Sequence, residues 1–269
     1  MFTEVSRGTP FVIFLLDLRC PSADATGKRA YRGTLSCHAS RARNRPDWRH
    51  DPDLEPMTHH GSLGFTWRQL PDPARRIDTE LALARFHRAL AGLVWDAVAL
   101  EGNPATFPQV QTLLDGVAVG GLQPSDQDQV LRFGGAFGAV RSLVSSGTFR
   151  LDQATSDDLH ARAASGGTSD EGELLEPRFA EGTAAISAIP EPYHQALVYC
   201  AFATFHRLYT DGTGCTVWVM ASGHLMVNGY DAVTVPADRK GEFGRLVDVF
   251  RHDADATALL GFLASCSIA

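Results

Sequence analysis

The chain has 269 residues, of which 44% are hydrophobic and 20% are charged. This composition is typical of a globular protein and excludes a chain that is disordered throughout. The net charge of −7 argues against a general nucleic-acid-binding protein, which would present a basic surface. The five cysteines include no C-x-x-C pair, so a disulfide framework and a zinc site are both disfavoured. A reducing cytoplasm is the expected location, with no membrane and no nucleic acid as partner.

Residues 1–56 differ from the rest of the chain. An apolar run at residues 11–16 is too short to span a bilayer, and no A-x-A cleavage site follows closely enough to favour a signal peptide. Residues 21–56 mix Arg, Pro, Asp, Ser and His without apolar periodicity, so they bury too little surface to offset ordering entropy. We expect residues 1–56 to be disordered, or to be an artefact of an upstream start codon with Met57 as the true start. Residues 57–269 form the predicted domain.

From residue 71 onward, apolar residues recur with the period of an α-helix. The first helix is predicted to end near Glu101, where Gly102 follows, and Thr106 with Gln109 has the form of a capping box for the next helix. Runs of period two are too few for a sheet of any size. The predicted fold is therefore a mainly α bundle, with further helices from residue 125, over 151–162, from 190, and over 215–228, 237–251 and 255–266.

A helix-turn-helix junction lies at residues 204–218, which read T-F-H-R-L-Y-T-D-G-T-G-C-T-V-W. Asp211 and the two glycines Gly212 and Gly214 interrupt two apolar helices. Backbone N–H groups at a helix N-terminus, exposed by glycines, can form a cradle for an anion. The same residues are also compatible with an ordinary two-glycine turn between packed helices.

The junction resembles the H-x-F-x-(D/E)-G-N-G-R-x-x-R signature of the Fic (Fido-domain) family in a degenerate form. A second stretch, L-E-G-N-P-A-T-F-P-Q-V-Q-T-L-L at residues 100–114, is similar to the E-G-N-x-x-T segment of Fic proteins that carry an inhibitory helix. The segment G-Y-D-A-V-T-V-P at 229–236 resembles the run that follows the Fic core helix. The resemblance covers roughly residues 90–266, with an inhibitory-helix-like segment at 90–115 and the core motif at 204–218.

The resemblance implies transfer of AMP from ATP to a Ser, Thr or Tyr hydroxyl on a protein. In the family a His is the general base, the acid holds Mg²⁺, the glycine-rich backbone cradles phosphates and two arginines bind them. By position, Asp211 matches the metal-binding acid, and Gly212 and Gly214 match the glycines of the phosphate cradle. Thr213 lies between them in place of the family's Asn and belongs to the same predicted cradle. Mg²⁺ and ATP are therefore implied by the resemblance alone.

Five motif positions depart from the family pattern. Besides Thr213, Tyr209 stands where the family has its Phe. Arg207 stands where the family has its His, while Cys215 and Trp218 stand where it has its two arginines. His206 lies one residue before the base position, about 100° around a helix. It is either a displaced base or a partly buried helix histidine without a catalytic role. Arg207 is either a replacement cation or a solvated side chain.

Two other segments bear on regulation and substrate docking. Glu101 matches the family's inhibitory glutamate, but its expected partner, the second motif arginine, is Trp218 here. We therefore read Glu101, with Gly102, first as a helix end and second as a regulatory element. Residues 163–177 stand where Fic enzymes have a β-hairpin flap, and they predict a shortened or absent flap.

Two functions follow from this sequence. The first is a catalytically impaired Fic protein that acts as a binding or regulatory module for a protein partner, or for a nucleotide. The alternative is an active, divergent nucleotidyl or phosphoryl transferase that uses His206 and Mg²⁺ bound by Asp211. A third possibility, with less support, makes Cys215 a nucleophile whose pKa is lowered at a helix N-terminus.

Overall fold

The computed structural model describes residues 61–165, 172–209 and 213–268. These residues form nine α-helices, and their only β-pairings are two isolated bridges, Thr66 with Asp255 and Val233 with Ser267. The prediction of a mainly α bundle is confirmed. The expectations for residues 1–56 and for a start at Met57 lie outside the described residues. In chain order the helices are α1 (Thr79–Leu100), α2 (Phe107–Leu114), α3 (Pro124–Ser145), α4 (Gln153–Ala163), α5 (Gly172–Ser187), α6 (Pro192–His206), α7 (Thr213–Val227), α8 (Lys240–Asp253) and α9 (Thr257–Ala264).

Helices α6 and α7 form the centre of the bundle. They pack on each other, and α1, α3 and α4 pack on α7. Every residue of α6 from Ala196 to Ala203 is buried. A helix that is apolar around its whole circumference is stable in water only when other elements surround it, which places these two helices in the interior.

The predicted helix ends agree closely with the structure around α1 and α2. Helix α1 ends at Leu100 with Glu101 as its C-cap. Gln109 Oε1 accepts hydrogen bonds from the backbone N–H and the hydroxyl of Thr106, each at 2.9 Å. These contacts occupy the exposed polar groups at the start of α2, as the capping-box pattern predicted.

Helix α5 is an element that the sequence analysis did not predict, and it begins within residues 163–177, where a shortened or absent β-hairpin flap was expected. Residues 172–177 are helical, as part of α5. The Phe179 ring of α5 lies against the Tyr199 ring of α6, with centroids 6.4 Å apart. At Gly182 a Cβ atom would lie 2.1 Å from the ring of Phe202, so the glycine allows α5 and α6 to approach closely. This packing stabilises a helix whose own sequence is weakly helical.

The segment before α1 is hydrogen-bonded to two other connecting segments of the bundle. Thr66 exchanges backbone hydrogen bonds with Ala254 and Ala256 at 2.9 and 2.8 Å, and the Phe65 ring packs on Phe205 and Phe250. Nearer α1, Ile77 N donates to Gly229 O at 2.7 Å. These contacts make residues 61–78 part of the folded domain.

Candidate functional site

The candidate site lies where the C-terminus of α6, the N-terminus of α7 and the C-terminus of α1 come together. Asp211 and Gly212 lie outside the described residues, so the predicted metal ligand and the first cradle glycine are not placed. Thr213 begins α7, and Gly214 follows it. In the described part of the chain, no group of three or more His, Cys, Asp or Glu is arranged to hold a metal ion.

Arg207 ends helix α6 in a left-handed backbone conformation, with φ 48° and ψ 60°. This conformation costs roughly 1 to 2 kcal/mol in a residue with a Cβ atom. The Arg251 guanidinium stabilises the same helix end, since its Nη2 donates to Thr204 O at 2.8 Å. The chain therefore leaves α6 sharply at the motif's first position, and the Arg207 side chain is exposed.

The Glu101 carboxylate lies against the first turn of α7. Its Oε1 is 2.9 Å from the point that a Cβ atom on Gly214 would occupy. At the end of its own helix a carboxylate faces the negative pole of the helix dipole, whereas the N-terminus of α7 presents a positive pole. The position of Glu101 is therefore stabilised by α7 and not by α1.

Two amides hold the Glu101 carboxylate in this orientation. Gln129 Nε2 of α3 donates to Glu101 Oε2 at 3.0 Å. Gln129 Oε1 in turn accepts from Nδ2 of the buried Asn103 at 2.8 Å, which fixes which end of the Gln129 amide faces the carboxylate. Asn103 Oδ1 accepts from Ala105 N at 2.9 Å. The result is a chain of hydrogen bonds from the α1–α2 turn through α3 to Glu101.

The two positions that carry arginines in the Fic motif belong to the core. Cys215 is fully buried, and Trp218 is 3% exposed. The Trp218 ring lies at 60° to the Phe243 ring, with centroids 5.8 Å apart. Burial, and secondarily the Glu101 carboxylate, raises the pKa of the Cys215 thiol well above its usual value. The suggestion of a nucleophilic Cys215 with a lowered pKa is therefore wrong.

The His206 side chain faces the segment before α1. Its Nε2 donates to Leu63 O at 2.8 Å, because a carbonyl oxygen can only accept. Nδ1 therefore carries the lone pair, and it lies 3.5 Å from Nη1 of Arg178 on α5. Burial, and then the nearby Arg178, lowers the pKa of His206, although the bond to Leu63 raises it. The imidazole rests edge-on against Phe202 and Phe205.

Tyr209, which stands where the family has Phe, follows α6 in the chain and packs its side chain against helix α4. Its hydroxyl is 2.9 Å from Asp157 Oδ1 and 3.0 Å from Ser156 Oγ. The His160 ring stacks on the Tyr209 ring, with centroids 3.9 Å apart and planes at 14°. His160 Nδ1 is also 3.1 Å from Thr216 Oγ1 of α7.

The sequence alone identified Glu101, His206 and the α7 N-terminus but missed the side chains that contact them. Gln129, Arg178 and His160 come from helices far away in the chain, and no local motif marks them. Asn103 is part of the E-G-N stretch, so the motif did contain a signal for it. The structure brings Glu101 and Gly214 together, and it places His206 against Leu63.

Within the described ranges, no helix is both long enough and apolar enough to cross a bilayer. No protein-family model matches the chain, and no curated protein matches it. Solved structures do match. A structure of residues 134–508 of Fic-1 from C. elegans has a TM-score of 0.60 at 19% identity, covering 70% of this chain and 62% of that chain.

Two bacterial structures are also similar. A Fic-domain-containing signaling protein from Bacteroides thetaiotaomicron has a TM-score of 0.55 at 16% identity, covering 70% of this chain and 87% of that one. A Fic family protein from Desulfovibrio desulfuricans has a TM-score of 0.50 at 17% identity, covering 67% and 62%. This chain spans less than two thirds of the C. elegans and Desulfovibrio structures. At such identities the comparisons show a shared fold: the chain has the fold of Fic-domain proteins.

Proposed function

We propose that this chain, with its Fic fold, is a catalytically impaired relative of protein adenylyltransferases that acts as a binding or regulatory module. One observation carries the proposal. The N-terminus of α7 has the Glu101 carboxylate over Gly214, while the two adjacent arginine positions are the buried Cys215 and Trp218. This helix end suits an anion, but the two positions beside it offer no guanidinium group to a triphosphate.

The loss of both guanidinium groups has a large energetic effect on nucleotide binding. Hydrogen bonds to charged groups contribute roughly 1.5 to 3 kcal/mol each. Losing two of them corresponds to a drop in affinity of at least about a hundredfold. Neither position can regain an arginine easily, since Cys215 and Trp218 are surrounded by core residues.

The described residues do not favour ATP. A phosphate group at this end of α7 would have to displace the Glu101 carboxylate, as any anion would, and it would then meet no guanidinium group at positions 215 and 218. Asp211, the expected Mg²⁺ ligand, lies outside the described residues.

The alternative transferase would use His206 as base and Asp211 to hold Mg²⁺. A general base needs a lone pair within hydrogen-bond reach of the proton that it removes. The lone pair of His206 is directed at Arg178, and its other nitrogen donates to Leu63. This geometry favours the structural role of His206, and it favours the impaired module over the transferase.

We assign the binding role to a protein partner in preference to a nucleotide. The helix end of α7 accommodates a single carboxylate, as Glu101 demonstrates, and an acidic side chain of a partner matches that chemistry. Glu101 and Gly102 then serve as the regulatory element, since Glu101 has to leave before a partner's carboxylate can enter. The buried free thiols of Cys200, Cys215 and Cys266 are consistent with a cytoplasmic module.

A labelling assay tests this function. The purified protein is incubated with Mg²⁺, a cell lysate and ATP labelled at the α-phosphate, and we expect no protein to acquire label. The variant His206→Asn is compared with His252→Asn, a matched change at an exposed histidine of α8. Label transfer that is lost in His206→Asn and kept in His252→Asn would establish the transferase and refute the impaired module.

A further inference from the structure

His160 touches the chain on both sides of the junction. On one side its ring stacks on Tyr209, and on the other its Nδ1 bonds the Thr216 hydroxyl in the opening turns of α7. A single side chain of α4 therefore connects the residues that follow α6 with the residues that begin α7.

Helix α4 supplies the polar contacts of the Tyr209 hydroxyl and the ring that stacks on it. Ser156, Asp157 and His160 stand at i, i+1 and i+4 on this helix, and i and i+4 share a face. The first two contact the Tyr209 hydroxyl, while His160 covers the ring. A phenylalanine at position 209, as in the family motif, would pack on the imidazole but leave the polar contacts unmade.

The second contact of His160 is in a protected environment. Thr216 is 1% exposed, so its hydroxyl has little access to solvent. Loss of a hydrogen-bond partner by a buried hydroxyl costs free energy, so the bond to His160 should restrict where Thr216 can lie. Gly214, which contacts Glu101, lies two residues before Thr216 on the same helix.

We infer that His160 is a positioning residue that sets the start of α7 relative to Tyr209, and with it the orientation of the helix end that receives a carboxylate. The stack fixes the Tyr209 side and the hydrogen bond fixes the α7 side. The inference deepens the proposed function and rests on it for the meaning of the helix end, but the two contacts can be tested without any ligand.

Two substitutions separate the contacts. His160→Phe keeps a planar ring for Tyr209 and removes the nitrogen that bonds Thr216. His160→Asn keeps a polar atom near the position of Nδ1 and removes the ring. Thr216→Val removes the same hydrogen bond from the α7 side, and so provides a second route if a change at His160 impairs folding.

Amide hydrogen exchange of the unliganded full chain provides the readout. In His160→Phe and in Thr216→Val we expect the amides of residues 214–217 to exchange about tenfold faster, with those of residues 208–209 unchanged. In His160→Asn we expect the amides of residues 208–209 to exchange about tenfold faster, with those of residues 214–217 unchanged. The double variant His160→Phe/Thr216→Val should exchange no faster than either single variant. Amides in the middle of α1 serve as the internal reference for global opening.

Two results would overturn the positioning role. One is equal acceleration on both sides of the junction and in α1, which would indicate a general loss of stability. The other is no change in any variant. Either result leaves the labelling assay of the proposed function unaffected, so failure of one can be distinguished from failure of the other.

Discussion

Glu101 and Gly214 are in direct contact across the interface of α1 and α7, with Oε1 2.9 Å from the position of an added Cβ atom. The family resemblance pairs this glutamate with an arginine that the chain lacks. The carboxylate has a different partner here, the start of helix α7, and Gln129 stabilises it there. The Glu101 carboxylate is therefore held beside α7 without that arginine.

Gly214→Ala should displace Glu101 at a small cost in stability. The new methyl group would lie closer to Oε1 than Cβ atoms normally come to other atoms, but Oε1 is at the end of a flexible side chain that can rotate away. We expect a change of less than about 1 kcal/mol in the free energy of unfolding, since alanine also has the higher helix propensity. Urea denaturation measures it.

The matched control is Gly223→Ala on the same helix. There a Cβ atom would lie 2.3 Å from the ring of the buried Phe149, which cannot move away cheaply. We expect a destabilisation of about 1 to 3 kcal/mol. Equal effects of the two substitutions would contradict the assigned difference between a flexible and a rigid neighbour.

Gln129→Met should weaken the attachment of Glu101. Methionine has a similar length but can neither donate to the carboxylate nor accept from Asn103 Nδ2, which keeps only Asp126 O as an acceptor. Because the bond to Glu101 is exposed to solvent and the bond to Asn103 is partly buried, we expect a loss of about 1 to 2 kcal/mol in the free energy of unfolding. The same substitution in a Glu101→Ala background should cost clearly less, and an identical cost in both backgrounds would show that Gln129 acts independently of Glu101.

The sequence predicted the architecture better than it predicted the surroundings of the site. Helix α6 could be recognised because its apolar residues cover the whole circumference. Helix α5 could not, since its stability depends on Phe202 packing over Gly182, a contact that local periodicity does not reveal. For the same reason Gln129 and His160 were missed: each acts on a residue at least 28 positions away.

Asp96 should make the protein less stable at neutral pH than at mildly acidic pH. Burial raises the pKa of this α1 carboxyl to about 6, although its hydrogen bond from Ala237 N opposes the shift. Between the unfolded pKa near 4 and the folded pKa near 6, the folded state binds more protons, so this contribution to stability falls as pH rises through that window.

Asp96→Asn removes the charge and keeps an oxygen that can accept from Ala237. We expect this variant to gain stability over wild type as pH rises from 4 to 7, by on the order of 1 kcal/mol after discounting for the solvated part of the carboxyl. Denaturation curves at pH 4, 5.5 and 7 measure the gain. A difference between variant and wild type that does not change with pH would contradict the raised pKa.

His224 should make the protein less stable at acidic pH than at neutral pH, which is the opposite of the effect of Asp96. Burial lowers the pKa of this α7 histidine to about 4, and its Nε2 donates to Gln195 Oε1 at 2.8 Å. The unfolded state binds the proton more tightly, so stability is lost as pH falls from 6.5 towards 4, by up to about 3 kcal/mol. His224→Gln should reduce this acid sensitivity, whereas His252→Gln at the exposed position should leave it unchanged.

The variant Glu101→Ala tests most directly whether transfer from ATP is impaired in itself or only inhibited by Glu101. Thermal unfolding of this variant with and without ATP and Mg²⁺, together with the α-phosphate labelling assay, separates the two states. We predict no shift in Tm and no label transfer, because Cys215 and Trp218 supply no cation for the phosphates. A nucleotide-dependent rise in Tm, or transfer of label by Glu101→Ala that wild type does not catalyse, would contradict the proposed impairment and indicate inhibition by Glu101.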